Sequence, residues 1–370
     1  MTNTLMNDSY EKTVTRVTRR FADAGVRLGT AGTDADIIMK PPAYRHFLEG
    51  EMGIGESFQD GLCKEGRMTI KEFTQKRILG RLVGKPLRTK AFQQSIENSP
   101  IVARKHYSAG NEYFGAILDP TMQYTCACFY GGATHLLAAQ LYKMELLGRK
   151  LKLRRGDRVL DIGCGFGGLA KYFHERFGVS VVGITLSHEQ ATYARRWCAE
   201  LPIEIIETDY RTIPAEQGRF DKIVTVGMFE HVGPNHYVEF FEKCKQLLAP
   251  GGTFLLHSIF GGGMDPWLEA NIFPGGELPT KAQVEEAIKG LFMPMDWHWF
   301  GRDYDPTLMA WNRNLKENRT WLERNGYDER FLRTQDYFLQ SCAARFGTRI
   351  ISVGQVHLSY EVIQEYEPTR

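Results

Sequence analysis

The sequence predicts an α/β protein with a doubly wound, parallel, Rossmann-like sheet, preceded by a smaller and mostly helical N-terminal domain. Three observations lead to this fold class. Strand patterns alternate with helix patterns between residues 158 and 258, which is typical of parallel sheets. A cluster of glycines follows the first of these strands directly. The chain has 370 residues, a length that favours two domains over one.

Each predicted strand is a short run rich in branched apolar residues. The strands are predicted at residues 158–162, 179–184, 203–207, 220–226 and 253–258. Helices are predicted at residues 136–147, 170–177, 189–200 and 236–248, where apolar residues recur with helical spacing. Because helices alternate with strands, the strands are expected to run parallel to one another.

The first part of the chain mixes helical patterns with glycine-rich breaks. Helices are predicted at residues 10–24 and 73–82, with a turn-rich connector at residues 50–56. The polar and basic residues 84–105 are predicted to form a linker. The predicted boundaries are residues 1–83 for the N-terminal domain, 84–105 for the linker and 106–370 for the main domain.

Composition and charge exclude several functional classes. The net charge of +2 supplies no general basic excess for binding nucleic acid. The seven cysteines are odd in number and widely scattered, and no CxxC pair is present, so neither a disulfide framework nor a metal site is expected. No signal peptide and no membrane-spanning apolar run is recognised. These features predict a cytoplasmic protein whose membrane contact, if present, is peripheral.

The glycine cluster is the centre of the predicted functional site. Residues 159–168 read VLDIGCGFGG, so a strand ends, the chain turns tightly and a helix begins. Glycines at such a turn let the backbone approach a ligand without a clashing Cβ. Gly163, Gly165 and Gly168 match the dinucleotide pattern GxGxxG, which is a weak signal when taken alone.

Two features favour S-adenosylmethionine (SAM) over NAD as the ligand of this turn. Asp161 lies at the strand end, two residues before the first glycine, where SAM-dependent enzymes carry an acid for the methionine ammonium. NAD-binding proteins instead carry an acid at the end of the next strand, for the ribose. Here that strand is followed by no carboxylate until Glu189. An NAD-dependent oxidoreductase is therefore disfavoured.

Longer motifs extend on both sides of the glycine turn. They are HYSAGNEYF, LDPTMQYTCACF, VLDIGCGFGGLA, VVGITLSHEQ, DYR, FDKIVTVGMFEHVG, LLAPGGTFLLHSI and DWHWFGRDYDPTLMAW. In these motifs the chain resembles the cyclopropane-fatty-acid-phospholipid synthase family of class I SAM-dependent methyltransferases, which is related to the mycolic acid cyclopropane synthases. The N-terminal motif GIGESFQDG resembles the front domain of the bacterial synthases, so the resemblance covers nearly the whole chain.

The resemblance implies which residues contact SAM. Phe166 stands where the family usually has tryptophan, and little change is expected because both side chains are large and aromatic. The implied cofactor residues are Tyr124, Thr125, Asp161, Gly163, Gly165, Thr185, Leu186, Gln190 and Asp209.

The resemblance also implies the reaction, in which a one-carbon unit is transferred from SAM to a cis double bond of a phospholipid acyl chain and closes a cyclopropane ring. Such a reaction needs a site that excludes water and a base that removes a proton. The family assigns the role of base to a bound bicarbonate ion, whose pocket maps onto Cys126, Glu230, His257, the backbone of Ile259, and Tyr304. Taken singly, each residue also has a purely structural interpretation, such as a buried thiol or a core histidine.

Further expectations follow from the resemblance alone. They are a homodimer, peripheral contact with the inner face of the cytoplasmic membrane, phospholipids with unsaturated chains as substrates, a lipid-related role for the N-terminal domain, and acyl-chain-binding insertions in the catalytic domain. Two alternatives stay open: a methyltransferase that produces methyl- or methylene-branched chains, and a non-catalytic SAM- or lipid-binding protein. Aromatic candidates for the walls of an acyl-chain tunnel are Trp267, Phe273, Phe292, Trp297, Trp299, Phe300 and Trp311.

Overall fold

The structure is a computed structural model that describes residues 2–82, 109–213, 217–361 and 367–370. The predicted linker, residues 84–105, lies outside the described residues. The strands are β1 (Leu28–Gly29), β2 (Ile37–Met39), β3 (Cys63–Glu65), β4 (Arg158–Ile162), β5 (Ser180–Thr185), β6 (Ile203–Glu207), β7 (Phe220–Val226), β8 (Leu248–Phe260), β9 (Met293–Trp299) and β10 (Ser352–Ser359).

The helices flank these strands throughout the described chain. They are α1 (Thr2–Ala22), α2 (Ala43–His46), α3 (Glu51–Gln59), α4 (Ile70–Leu79), α5 (Gly110–Ile117), α6 (Leu136–Lys150), α7 (Gly168–Phe177), α8 (His188–Trp197), α9 (Tyr237–Leu247), α10 (Pro266–Asn271), α11 (Lys281–Ala287), α12 (Tyr304–Glu317), α13 (Arg319–Arg324) and α14 (Glu329–Gly347). Among the described residues, none of these helices is both long and apolar enough to cross a membrane.

The chain divides into two compact units, and the division differs from the predicted boundaries. One unit comprises Met1–Leu87 together with Asp265–Ile272 and Leu308–Ile350. The other comprises Arg88–Met264, Phe273–Thr307 and Ile351–Arg370. Residues 106–370 are therefore not one continuous compact unit, because two of their segments group with the N-terminal residues. Sequence order alone gave no sign of this, because both segments are helical stretches within the predicted main domain.

The second unit contains the predicted doubly wound sheet, which confirms the fold class. Its seven strands have the order β6-β5-β4-β7-β8-β10-β9. Strands β4 to β8 pair in parallel, as predicted. Strand β10 is antiparallel to both of its neighbours, β8 and β9, so the complete sheet is mixed. The strand patterns of β9 and β10 went unrecognised because buried polar residues such as Gln355 and His357 interrupt their apolar runs.

Helices cover both faces of this sheet. On one face, side chains of α9 and α11 pack on the strands, with Phe241 and Phe254 at 6.1 Å between ring centroids. On the other face, α6 and α7 contribute Leu147 and Phe173 to a second buried cluster. Both faces of the sheet thus exclude water, and its functional groups are placed at the ends of the strands, as is usual for this fold.

The first unit combines helices with the three-stranded sheet β1-β2-β3. The predicted connector at residues 50–56 is wrong, because this segment lies in helix α3. Its glycines serve close packing instead of turning the chain. A Cβ at Gly55 would lie 2.3 Å from the Trp267 ring, and one at Gly53 would lie 2.0 Å from the His46 carbonyl oxygen. Trp267 and Trp311, two tunnel candidates, are buried in this unit.

A buried ion network joins three parts of the first unit. Glu51 on α3 pairs with Arg77 on α4 and, at 3.2 Å, with Arg345 on α14. Arg345 also pairs with Asp265, which caps α10. Burial works to raise the pKa of Glu51, but the two arginines outweigh it and the pKa is lowered. Glu51 is thus the shared anion that balances two buried guanidinium groups.

This network makes a stability prediction. Removing one member of a buried ion pair leaves an uncompensated charge and costs about 3–5 kcal/mol. We expect Glu51→Gln to lower the free energy of unfolding, measured by urea titration, by an amount in this range. The control is Asp34→Asn, which breaks an exposed ion pair of the same unit and should change the stability little. Equal losses of stability in the two variants would contradict the role of Glu51 as the anion shared by two buried arginines.

Candidate active site

The glycine turn after β4 has the geometry that the sequence predicted. Gly163, Gly165 and Gly167 have φ angles of +86°, +54° and +83°, and residues other than glycine rarely adopt such positive φ angles. The backbone N–H groups of Gly163 and Cys164 both donate to the carbonyl oxygen of Ile184 at 2.9 Å. These bonds fix the turn against the end of β5, and helix α7 begins directly after it.

Two buried ionisable groups of opposite charge lie beside this turn. Asp161 is at the end of β4, and burial raises the pKa of its carboxyl to about 7, against an opposing effect of Lys143. Burial lowers the pKa of Lys143 to about 8. The sequence analysis missed Lys143, although one signal was present: it lies on the stripe of α6 that carries Ala139 and Leu147, where a solvent-facing lysine is not expected.

The segment that carries Tyr124 and Thr125 lies over the ends of β4 and β7. Lys143 donates to Thr125 Oγ1 at 2.7 Å, and Gln140 donates to the Thr125 carbonyl oxygen at 2.9 Å. A Cβ at Gly227, the residue after β7, would lie 2.8 Å from Thr125 Cγ2. The Tyr124 ring meets Phe114 edge-on at 5.0 Å between centroids.

The Phe166 side chain, which belongs to the glycine turn, packs against an aromatic residue of α5. Its ring lies 5.5 Å from that of Phe114, which in turn contacts Tyr124. The aromatic residue that replaces the family's tryptophan therefore packs beside the predicted cofactor residues.

The predicted ribose and adenine residues surround the end of β5. The Thr185 hydroxyl donates to Gln190 Oε1 at 3.1 Å, and Gln190 Nε2 lies 4.0 Å from the position of a Cβ at Gly165. Leu186, between them in sequence, is half-buried. These residues therefore lie at the edge of the glycine turn, and their contact with the ribose and adenine stays a prediction.

Asp209 has a structural partner. Its carboxylate accepts two hydrogen bonds from the Arg211 guanidinium, at 2.8 and 2.7 Å, and one from the Arg211 backbone at 2.9 Å. Thr208, the residue before it, donates from its backbone to the Thr185 carbonyl oxygen at 3.1 Å. Asp209 is thus near the other cofactor residues, but its oxygens are used by Arg211, and its role at the adenine edge stays a prediction.

Glu230 lies in a short 3₁₀ turn after β7 and is almost fully buried, at 6% exposure. The backbone N–H of Ile259 donates to its Oε1 at 2.7 Å. Its Oε2 is buried and has no hydrogen-bond partner among the described residues. Burial raises the pKa of this carboxyl to about 7, although the bond from Ile259 works in the opposite direction. An orphaned buried oxygen is costly unless something binds to it.

His257 lies two residues before Ile259 on β8, on the same face of the strand. The Gln355 amide on β10 is 3.3 Å from His257 Nδ1, and when this amide donates, the ring hydrogen is on Nε2. The Phe300 ring meets the imidazole edge-on at 5.5 Å. Burial holds the pKa of His257 well below its ordinary value, so the ring is neutral.

Cys126 and Tyr304 are associated through the start of α12. Cys126 is fully buried, and burial raises the pKa of its thiol, so the sulfur keeps its proton. The next residue, Ala127, donates from its backbone to Thr307 Oγ1 at 3.1 Å. Asp303, directly before Tyr304, accepts the backbone N–H of Phe129 at 2.7 Å. Tyr304 itself is half-buried.

The five predicted pocket residues therefore form two connected groups. Glu230 and Ile259 are joined directly, and the His257 carbonyl oxygen accepts the backbone N–H of Gly227 at 2.9 Å. Cys126 and Tyr304 lie in two segments that are joined by the Ala127–Thr307 and Phe129–Asp303 hydrogen bonds. Thr125, adjacent to Cys126 and packed near Gly227, links the two. The sequence analysis missed the supporting residues Asp303, Thr307 and Gln355, which are unremarkable polar residues until the fold brings them to the site.

The raised pKa of Glu230 makes a prediction about stability. Its folded-state pKa, about 7, exceeds the ordinary glutamate value of 4.5, so the folded state holds a proton that the unfolded state releases, and stability falls as pH rises between these values. Glu230→Gln should therefore become more stable relative to the unmodified protein, by up to about 3 kcal/mol between pH about 5 and about 7.5, at 1.36 kcal/mol per pKa unit.

Urea titrations at the two pH values measure this difference. Glu200→Gln, which removes an exposed carboxylate, is the control and should show little dependence on pH. A stability difference for Glu230→Gln that does not change with pH would show that the carboxyl is not held in a desolvated environment.

Similarity to known proteins extends over most of this chain. The family described as mycolic acid cyclopropane synthetase matches residues 94–356. The cyclopropane-fatty-acyl-phospholipid synthase of Escherichia coli (strain K12) is 40% identical over 354 residues, which cover 91% of this chain and 90% of that protein. The cyclopropane mycolic acid synthase MmaA2 of Mycobacterium tuberculosis (strain H37Rv) is 33% identical over 276 residues, which cover 69% of this chain and 95% of that protein.

Solved structures give the same result. The structure of MmaA2 from Mycobacterium tuberculosis aligns with a TM-score of 0.66 at 29% identity, covering 70% of this chain and 98% of that one. The mycolic acid cyclopropane synthase CmaA1, complexed with SAH and CTAB, aligns with the same values. The resemblance that the motifs predicted is confirmed, and the chain belongs to the mycolic acid cyclopropane synthetase family.

Proposed function

We propose that this protein transfers a one-carbon unit from SAM to the cis double bond of an unsaturated phospholipid acyl chain and closes it into a cyclopropane ring. The observation that carries the proposal is the buried Glu230 carboxyl, which is held by the Ile259 N–H and keeps its second oxygen without a partner among the described residues. It lies at the ends of β7 and β8, next to a glycine turn of the kind that binds nucleotides. The family membership and the synthase from Escherichia coli support the reaction.

The residues present fit SAM, which would supply an electrophilic methyl group. The positive φ angles of Gly163 and Gly165 favour glycine, and the absence of a Cβ at these positions lets a ligand approach the backbone. Asp161 is a buried acid at the strand end and would bind the methionine ammonium. Thr185 and Gln190, joined at 3.1 Å, would contact the ribose and adenine side.

The pocket residues also fit a small oxyanion, and we propose bicarbonate, which would act as the base. Cys126 keeps its thiol hydrogen and neutral His257 presents an N–H, so both could donate to an oxyanion. In this structure the Cys126 thiol donates to the Ala127 carbonyl oxygen at 3.2 Å, and it would turn to the ion on binding. The free oxygen of Glu230 would accept the hydroxyl of bicarbonate. The Ile259 N–H, which the family pattern assigns to the ion, is engaged by Glu230 in this structure.

The surroundings of the pocket suit a reaction in which positive charge develops on the acyl chain. Cys126, Glu230 and His257 are all buried, so water has little access to the reacting carbons. The Phe300 ring lies against His257, and an aromatic face tolerates an adjacent positive charge. Its contact with His257 supports Phe300 as a tunnel-wall candidate, whereas Phe292 packs against Phe241 of α9.

We further propose that the protein works as a homodimer bound peripherally to the inner face of the cytoplasmic membrane. The family resemblance supports both statements. For membrane contact, α1 offers an exposed basic surface, which would attract anionic head groups. The basic residues of this surface are Lys12, Arg16, Arg19 and Arg20, and Glu11 and Asp23 lie beside them.

The lipids of cells that express the protein test the reaction. We expect monounsaturated chains to gain the mass of one CH₂ unit, and derivatisation should reveal a ring in the product. Cells that express Glu230→Gln provide the matched control and should retain unmodified chains. The same mass gain as a methylene branch, or a saturated methyl branch with two more hydrogens, would identify a branching enzyme. No change despite demonstrated SAM binding would point to another acceptor.

Variants of the pocket test its residues. We expect Glu230→Gln and Cys126→Ala to lower kcat at least about a hundredfold, as loss of a positioned proton-transfer or anion-binding group does, while the Kd for SAM changes little. Cys128→Ala is the matched control, because Cys128 is equally buried and two residues away. Near-normal kcat in Glu230→Gln or Cys126→Ala would overturn the pocket assignment.

A further inference from the structure

Helix α6 carries two buried lysines, and they are compensated in different ways. Lys150 is bonded to His298 at 3.0 Å and forms an ion pair with Asp296 at 3.7 Å. Lys143 is included in none of the ion pairs among the described residues, and its Nζ donates to two neutral oxygens, Gln123 Oε1 at 3.0 Å and Thr125 Oγ1 at 2.7 Å. Burying an ammonium group is costly unless hydrogen bonds replace its lost water. The two bonds to Gln123 and Thr125 therefore stabilise the buried charge of Lys143.

Both neutral partners belong to the segment that precedes the pocket. Gln140, one helical turn before Lys143, donates to the carbonyl oxygens of Thr125 at 2.9 Å and Gln123 at 3.4 Å. Side chains of helix α6 therefore donate hydrogen bonds both to backbone carbonyl oxygens and to side-chain oxygens of this segment. The segment continues into Tyr124 and Cys126, so its position affects the cofactor side and the anion side together.

The same ammonium is close enough to the strand ends to interact electrostatically with Asp161, and also with Asp119 and Cys126. It works to lower the pKa of Asp161, against the effect of burial. Lys143 thus favours the ionised form of Asp161, which is the form that binds an ammonium group.

We propose that Lys143 is a positioning residue of the SAM site, whose ammonium fixes Thr125 and Gln123 over the end of β4 so that the segment can contact the cofactor. The proposal rests on the proposed function to the extent that the site binds SAM. Lys143 acts through Thr125 and Asp161, and no contact between Lys143 and the cofactor is required.

A double-mutant cycle on SAM affinity tests this proposal in the full-length protein. Lys143→Met should raise the Kd for SAM, measured by isothermal titration calorimetry, by about tenfold to a hundredfold, the range for losing hydrogen bonds from a charged group. Thr125→Val removes the accepting hydroxyl and keeps the methyl group that faces Gly227. If Lys143 acts through Thr125, the double variant should bind SAM nearly as well as Lys143→Met alone.

The matched control is Lys150→Met, which removes a buried ammonium from the same helix and should leave the Kd for SAM within about threefold of the unmodified value, the scatter of independent sites. Lys143→Gln, which is neutral and still polar, replaces Lys143→Met if the latter does not fold. With the acceptor lipid, the Lys143 variants should raise the KM for SAM more than they lower kcat, whereas general loss of structure would lower kcat and the melting temperature together.

The outcomes separate this inference from the proposed function. An unchanged Kd in Lys143→Met, or effects of the two substitutions that simply add, would overturn the role of Lys143 while leaving the lipid reaction standing. The expected coupling without any modified lipid would support Lys143 and overturn the proposed acceptor. Absence of SAM binding in the unmodified protein would overturn both.

Discussion

The active site depends on keeping ionisable groups away from water at the ends of parallel strands. Asp161, Glu230 and Lys143 are all buried, and a buried charge is stable only where fixed dipoles or counter-charges replace the lost water. The bond from the Ile259 N–H to Glu230 is the clearest replacement of this kind. The fold supplies it because β7 and β8 are adjacent and parallel, so the turn after one strand faces the backbone at the end of the other.

The supporting contacts come from distant parts of the sequence. Strand β10 is inserted between β8 and β9, and it places the Gln355 amide on His257. The start of α12 places Asp303 and Thr307 under the segment that carries Cys126. Helix α6 contributes Lys143 and Gln140, which both donate hydrogen bonds to Thr125 of the same segment. The segments that carry the pocket residues are therefore held by residues from other elements, which limits their conformations before a ligand binds.

The sequence predicted what depends on local pattern. Strands β4, β6 and β7 were predicted with their observed bounds, because branched apolar runs and the glycine turn are strong signals. Residues that depend on long-range packing escaped prediction. The glycines of α3 look like a turn until the Trp267 ring is placed against Gly55, and Lys143 looks like an ordinary helix lysine until the 123–126 segment covers it. The motifs nominate the pocket residues, but spacing alone does not identify the residues that hold them.

The order of the strands has a consequence for how the protein is made. Strand β10, residues 352–359, lies between β8 and β9 although it follows both of them in the chain. A nascent chain that has emerged only as far as β9 lacks the strand that β8 and β9 both pair with. Until then the inner edges of both strands are open to wrong pairing. Residues 352–359 must therefore be synthesised before β8 and β9 gain their shared neighbour and His257 gains its amide partner, and until then both strands are exposed to mispairing.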